Sequence, residues 1–203
     1  MQFGEMPTNP LLIVISGPSG IGKDAVVGLL RKTNSDTHFV ITMTSRLPRV
    51  DEVEGRDYFF VTREEFEQKI ENDDLIEYAC VYSDYKGIPK TQVREAFASG
   101  KDVIMRLDVQ GAMTIRRLCP EAVLIFLTAS SEGEWIRRLM ERRSETPEEL
   151  DIRLLVAAQE YEMIKEFDYM VVNSDHHLDK TIADIQAIIR AEHLKTNPRK
   201  VEL

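Results

Sequence analysis

The sequence predicts an α/β fold: a parallel sheet flanked by helices, with a small lobe inserted after its first strand–helix unit. Three observations lead there. The apolar run Leu11-Leu12-Ile13-Val14-Ile15 passes through Ser16 into Gly17-Pro18-Ser19-Gly20-Ile21-Gly22-Lys23-Asp24, and a helical pattern follows. Strands and helices alternate at both ends of the chain, as they do where parallel strands are joined by helical crossovers. Ala122-Val123-Leu124-Ile125-Phe126-Leu127 is apolar without a break, the pattern of a strand buried on both faces.

After the glycine-rich turn, Ala25, Val26, Leu29 and Leu30 mark one face of a helix that ends near Lys32-Thr33-Asn34. A short strand is expected over residues 38–43, then an irregular basic stretch, 42–49, in which Pro48 bars a helix. An acidic loop around Gly55 leads to a strand at 58–61. Thr62, with Glu65 three positions on, forms a capping box for a helix reaching residue 72. A strand at 75–82 is followed by a turn-rich loop at 83–89 and a helix at 89–98, closed by Gly100. The strand at 103–108 ends in Asp108; a helix at 110–118 stops before Pro120, and the apolar strand at 122–127 comes next. Helices at 134–143 and 148–166 are separated by a polar stretch containing Pro147. A last strand at 169–172 and a helix at 178–195 complete the fold, with a frayed tail beyond.

At 203 residues, 43% of them hydrophobic and 30% charged, the chain fits one domain with inserted lobes and a real core. Its net charge of −9 argues against nonspecific binding to nucleic acid or anionic membrane, so positive charge for binding phosphates must be local. Cys80 and Cys119 form neither a disulfide framework nor a metal pattern, which suits a reducing cytosol. His38, His176, His177 and His193 are scattered and do not converge on a metal. The N-terminus lacks the marks of a signal peptide, and no apolar run approaches the length that spans a bilayer. The expectation is a soluble cytoplasmic protein.

Chemistry gathers first at Gly-x-x-x-x-Gly-Lys between a buried strand and a helix, the setting of a P-loop. Backbone N–H groups there converge on phosphate oxygens, and the helix N-terminus adds partial positive charge. Lys23 supplies a full charge to the outer phosphates. The next position holds Asp24 and then Ala25, where a Mg²⁺-binding hydroxyl is usual. Asp24 is therefore expected to reach Mg²⁺ directly or through water. Arg46 and Arg49, three apart in an irregular stretch, make a fork suited to one phosphate, or simply a solvated basic loop. Arg138 and Arg142 share a helix face, and Arg153 can fold back toward them. Such arginines neutralise charge in phosphoryl transfer, or balance Glu141, Glu145, Glu148 and Glu149. Asp108 is a strand-end carboxylate suited to metal or to capping the next helix. Glu77 interrupts an apolar strand, to read a nucleobase or to point outward; periodicity leaves both open.

With these segments laid out, the chain resembles guanylate kinase along nearly its whole length. The carriers are the P-loop, Ser45-Arg46-Leu47-Pro48-Arg49, Gly55-Arg56-Asp57-Tyr58, Leu75-Ile76-Glu77-Tyr78-Ala79, Asp108-Val109-Gln110-Gly111, the Arg138/Arg142/Arg153 group and Val171-Val172-Asn173. The resemblance implies a P-loop nucleoside monophosphate kinase-like fold. Its core would be residues 1–41, 91–136 and 154–203, with a GMP-binding lobe at 42–90 and a lid at 137–153. It implies Mg²⁺-dependent transfer of the ATP γ-phosphoryl group to GMP and dGMP. Arg46, Arg49 and Tyr58 would hold the GMP phosphate, Glu77 and Thr42 the guanine, and residues 17–24 with Asn173 the ATP. Asp108 would lie between the nucleotides, and the lid arginines would close on the transferring group. Four positions depart from the commoner pattern. Asp24-Ala25 replaces a hydroxyl-bearing pair, and Lys86 stands where a Tyr meets the GMP phosphate. Ile88 stands where a hydroxyl meets guanine, and Arg106 replaces the first Asp of an Asp-x-Asp pair. The first three resemble the branch that includes plastid-type enzymes. Two other functions fit the same motifs: a non-catalytic phosphopeptide-binding module, and a kinase for another nucleoside monophosphate.

Overall fold

Strand β1 (Leu12–Ser16) is buried along its whole length and lies at the centre of a five-stranded sheet, as its unbroken apolar sequence requires. The computed structural model describes residues 9–34, 36–81, 84–140 and 147–201, with backbone alone for 81 and 147–153. From β1 the chain passes through the glycine-rich turn into α1 (Lys23–Thr33) and returns in β2 (Thr37–Phe39). A second group follows: β3 (Met43–Thr44), β4 (Phe59–Phe60), α2 (Arg63–Glu71), β5 (Leu75–Val81) and β6 (Asp84–Pro89). Then come α3 (Lys90–Ala98), β7 (Asp102–Arg106), α4 (Val109–Leu118), β8 (Val123–Thr128) and α5 (Glu132–Met140). The chain ends with α6 (Pro147–Glu162), a 3₁₀ turn (Met163–Glu166), β9 (Tyr169–Val172) and α7 (Leu178–His193).

The first sheet has the order β2-β7-β1-β8-β9, and every pair in it is parallel. Alternation along β1 sends Ile13 and Ile15 to one face, among Val26, Leu30, Ile125 and Trp135. Leu12 and Val14 go to the other, among Val103, Met105, Ile115 and Leu124. Because β1 lies between β7 and β8, the strand order reverses there, and the turn after β1 opens beside the carboxyl end of β7. Crevices at such reversals are where α/β sheets take ligands.

The second sheet, β4-β3-β6-β5, is mixed, and all its strands fall within residues 42–90. Two expectations fail here for physical reasons. The single strand over 38–43 is two strands in different sheets. Between them the Gln92 side chain accepts from Ile41 N–H (2.6 Å) and donates to Ile41 C=O (3.0 Å), so the chain changes sheets without orphaning that peptide. The turn-rich loop at 83–89 contains strand β6. Its Gly87 serves packing: a Cβ there would lie 2.9 Å from Glu77 O and 3.0 Å from the Phe66 ring. The capping box at Thr62 and Glu65 forms as read. Both cysteines are free, and among the described residues no helix is long and apolar enough to cross a membrane.

Candidate active site

The glycine-rich turn is held by its carbonyls. Trp135 Nε1 donates to Ser19 O (2.8 Å), Asn173 Nδ2 to Ile21 O (2.8 Å) and Arg138 Nη1 to Ile21 O (3.3 Å). Lys23 Nζ folds back onto the carbonyls of Gly17 and Pro18. With those carbonyls engaged, the first-turn N–H groups of α1 remain, for which helix geometry supplies no acceptor; the first backbone bond runs from Val26 N to Gly22 O. Such an array of N–H groups at a helix N-terminus can take an anion. Glycine is required at both ends of the turn. Gly17 has φ +141°, and a Cβ would lie 2.4 Å from Leu127 O; Gly22 has φ +92°, and a Cβ would lie 2.6 Å from Asn173 Nδ2. Burial pulls the Lys23 ammonium down to about 8, against Glu160, Asp108 and Asp24, which favour its charge.

This turn forms one wall of a cleft of about 580 Å³ whose other wall is the second sheet. The structure brings together there Ser19, Gly20, Ile21, Gly22, Lys23, Asp24, Thr42, Arg46, Arg49, Tyr58, Glu77, Lys86 and Asp108. Glu77 sits on β5 at an irregularity in its pairing with β6, and only 8% of it is exposed. Burial first, then the Asp108 charge, pushes its carboxyl up to about 7. Neither carboxylate oxygen has a hydrogen-bond donor among the described residues. Asp108 caps α4, accepting from Gly111 N–H at 2.8 Å. Gly111 also lets the helix approach: a Cβ there would lie 3.2 Å from Glu77 Oε1.

Arg46 lies over the Tyr58 ring, with Cζ 4.8 Å from the centroid, and donates two bonds to Glu52, at 2.7 and 2.6 Å. Glu52 accepts a third from Arg49 N–H. Hydrogen bonds from Arg46, opposed by burial, hold the Glu52 carboxyl below its usual range. The Arg49 side chain stays exposed at the cleft mouth.

Several expected residues are placed otherwise. Ile88 is fully buried in the core with Leu12, Val14 and Val40, directly opposite Glu77 in the strand register, and does not line the cleft. Asn173 is 5% exposed with both ends of its amide engaged, by Ile21 O and Thr181 Oγ1, so it braces the turn from behind. Arg138 is consumed likewise: it donates to Asp175 (2.8 Å), Glu134 (2.6 Å), Asn173 O (2.7 Å) and Ile21 O. Gly17 and Pro18 lie behind the cleft, accepting from Lys23. Arg142 is outside the described residues, and of Arg153 only the backbone, in α6, is described.

Three residues that sequence reasoning left out enter the site. Glu160 on α6 lines the cleft and accepts from Ser19 N–H; burial pushes its carboxyl up to about 7, with Lys23 opposing. Glu52 orients Arg46, and its signal was only the acidic loop. Arg106, noted as a departure without a role, forms an ion pair with Asp24 and places Cζ 5.3 Å from the Tyr58 centroid.

The chain is similar to known proteins along nearly its whole length. The guanylate kinase family model covers residues 9–192. A guanylate kinase 2, chloroplastic/mitochondrial, from Oryza sativa is 46% identical over 97% of this chain and 70% of its own. A guanylate kinase from Halalkalibacterium halodurans is 44% identical over 91% of this chain and 90% of its own. The crystal structure of guanylate kinase from Anaplasma phagocytophilum superposes with a TM-score of 0.75 at 28% identity, covering 94% of this chain and 90% of that one. A family model matched over residues 9–192, with relatives 44–46% identical over more than nine-tenths of the chain, shows that the chain belongs to the guanylate kinase family.

Proposed function

We propose that this chain transfers the γ-phosphoryl group of ATP to GMP, and to dGMP, giving ADP and the diphosphate. One observation carries the reading: the carboxylate of Glu77, which is 8% exposed and has no hydrogen-bond donor among the described residues, shares a cleft with a helix N-terminus suited to anions. Guanine offers N1–H and an amino group side by side, a donor pair that a carboxylate accepts and that adenine lacks. Residues 19–24 would hold the ATP phosphates, while Arg46, Arg49, Tyr58 and Lys86 would hold the GMP phosphate and Thr42 would flank the base. Asn173 contributes by fixing Ile21. Residues 42–90 and 137–153 act as the acceptor lobe and the lid, around a core made of the rest.

No side-chain nucleophile is needed. The protein lines up acceptor oxygen and γ-phosphorus, neutralises charge and excludes water. Lys23 neutralises the donor phosphates, and Arg142 and Arg153 would approach the transferring group as the lid closes. Among the described residues no three His, Cys, Asp or Glu side chains converge as a metal cage. Mg²⁺ does not require one, since it binds through one or two carboxylates, phosphate oxygens and water. The residues present fit that need: Asp108 presents a carboxylate at the cleft, with one oxygen fixed by Gly111 N–H. The ion would lower the negative charge that the phosphates present to each other. Asp24 is already engaged with Arg106, so it is the weaker candidate ligand. The cytoplasm is the proposed location, with free cysteines that suit any reducing compartment.

A coupled assay with ATP, Mg²⁺ and each of GMP, dGMP, AMP, CMP and UMP tests this. Turnover confined to the guanine acceptors is expected. Binding of GMP without turnover of any acceptor would leave a binding module instead.

A further inference from the structure

Two positions in the cleft carry charges that the phosphate chemistry alone does not call for. Asp24 puts a carboxylate in the first turn of α1, next to the place where donor phosphates sit. Arg106 puts a guanidinium at the end of β7. The fold brings them together: β7 pairs in parallel with β1, Arg106 stands opposite Ile15, and the glycine-rich turn begins two residues later. Arg106 Nη1 and Asp24 Oδ1 form an ion pair across 82 positions of sequence. The Asp24 side chain is 67% exposed and that of Arg106 is 21% exposed, so the arginine is the enclosed partner and the aspartate the tether. Beyond the pair, the Arg106 guanidinium reaches the Tyr58 ring at 5.3 Å, the same ring that Arg46 covers at 4.8 Å.

We propose that Arg106 is a third arginine of the acceptor-phosphate site, beside Arg46 and Arg49, and that Asp24 is the residue that positions it. The proposal rests on the reading of the cleft as a GMP site. A guanidinium has five donors in a rigid fork. Nη1 is spent on Asp24 and the guanidinium lies beside the Tyr58 ring; the remaining donors of this cleft-lining side chain are the ones we assign to phosphate oxygens. The pair also resolves the charge conflict at α1. A bare carboxylate beside the donor phosphates would repel them; paired with Arg106 it adds no net charge there. The pair thus spans the junction between donor and acceptor phosphates, where charge accumulates as the phosphoryl group moves.

The test is equilibrium binding of GMP and of guanosine, without ATP or Mg²⁺, to the wild type and to Arg106→Gln, Arg106→Lys, Asp24→Ser and Asp24→Ser/Arg106→Gln. Losing a charge-assisted phosphate contact weakens binding roughly 10- to 100-fold. Arg106→Gln should therefore lower GMP affinity by about that factor while guanosine affinity holds, and Arg106→Lys should recover part of it. ATP binding separates the two halves of the pair: Arg106→Gln, with its stranded carboxylate, should weaken ATP binding more than the double variant does. An unchanged ratio of GMP to guanosine affinity in both Arg106 variants would overturn the proposal. So would a double variant that binds ATP as poorly as Arg106→Gln. A wild type that does not prefer GMP to guanosine would instead overturn the GMP-site reading on which the proposal stands.

Discussion

Glu77→Gln is the sharpest perturbation of this site. The ionised carboxylate would accept two bonds from guanine, each charge-assisted and each worth about 1.5–3 kcal/mol. Glutamine keeps one acceptor, without charge, and turns its NH₂ against a guanine donor. The loss should reach about 3–4 kcal/mol, or roughly 10²–10³ in kcat/KM for GMP, with little change in KM for ATP. The raised pKa adds a second signature. With the Glu77 carboxyl at about 7, protons compete with guanine for it. GMP affinity should fall about tenfold between about pH 8 and about pH 6 in the wild type, and the Gln variant should lose that component. The GMP phosphate titrates in the same range, so the difference between wild type and variant is what counts, and guanosine binding isolates it. A third consequence runs the other way. The folded carboxyl titrates above its unfolded value of about 4.5, so its ionised form opposes folding above about pH 7, and the penalty disappears below about pH 4.5. Glu77→Gln should therefore stabilise the free protein at about pH 8, by up to about 3 kcal/mol. A variant that keeps its preference for GMP over AMP, with an unaltered pH profile, would refute the assignment of Glu77 to the base.

Gly22→Ala forces a side chain into φ +92° and to 2.6 Å from Asn173 Nδ2. The strain and the displaced amide should cost about 2–3 kcal/mol in chemical denaturation and weaken ATP binding; unchanged stability would mean that the turn yields freely. Glu52→Ala releases the Arg46 fork, so KM for GMP should rise roughly 3- to 10-fold with a smaller change in kcat, as steady-state kinetics with GMP varied will read. Glu192 is buried at 1% exposure; against burial, bonds from Arg199, Lys195 and Tyr169 hold its carboxyl at about 2. Its folded value lies below the unfolded one, so it contributes roughly 3 kcal/mol above about pH 4.5 that is lost as pH falls toward 2. Thermal unfolding of Glu192→Gln across that window should show a flatter acid limb than the wild type.

Features that depend on local chemistry were readable in the sequence. The apolar run before Gly17, the Thr62–Glu65 capping box and the uninterrupted strand at Val123–Thr128 each follow from a few adjacent residues. What escaped depends on tertiary approach. Strand β6 carries Gly87 and Pro89, which read as turn formers until Phe66 and Tyr78 are seen to need the missing Cβ. Glu160 is one carboxylate among several on a long helix, and only the packing of α6 against Ser19 distinguishes it. The i, i+4 spacing of Arg138 and Arg142 says nothing of the bonds Arg138 makes to Glu134 one turn back and to Asp175 and Asn173 in another segment. Asn173 follows β9 as its sequence position implies, but strand position does not say which way an amide turns, and here both its ends bond within the protein, to Ile21 O and Thr181 Oγ1.

The four departures from the commoner family pattern also change meaning when placed in space. Lys86 and Ile88 stand on the same face of β6, opposite Ala79 and Glu77. Toward the cleft that face offers an ammonium; toward the core it offers an apolar side chain against the carboxylate. With Ile88 in place of a hydroxyl there is no donor from that position beside Glu77, and burial is the first cause of its raised pKa. Asp24 and Arg106 are not two anomalies but one exchange of charge across β1 and β7. Either residue alone would be unfavourable beside phosphates or in an enclosed site: an unscreened carboxylate in the first case, an unpaired buried guanidinium in the second. Their coupling predicts that they vary together, since a chain that keeps one without the other strands a charge in the cleft.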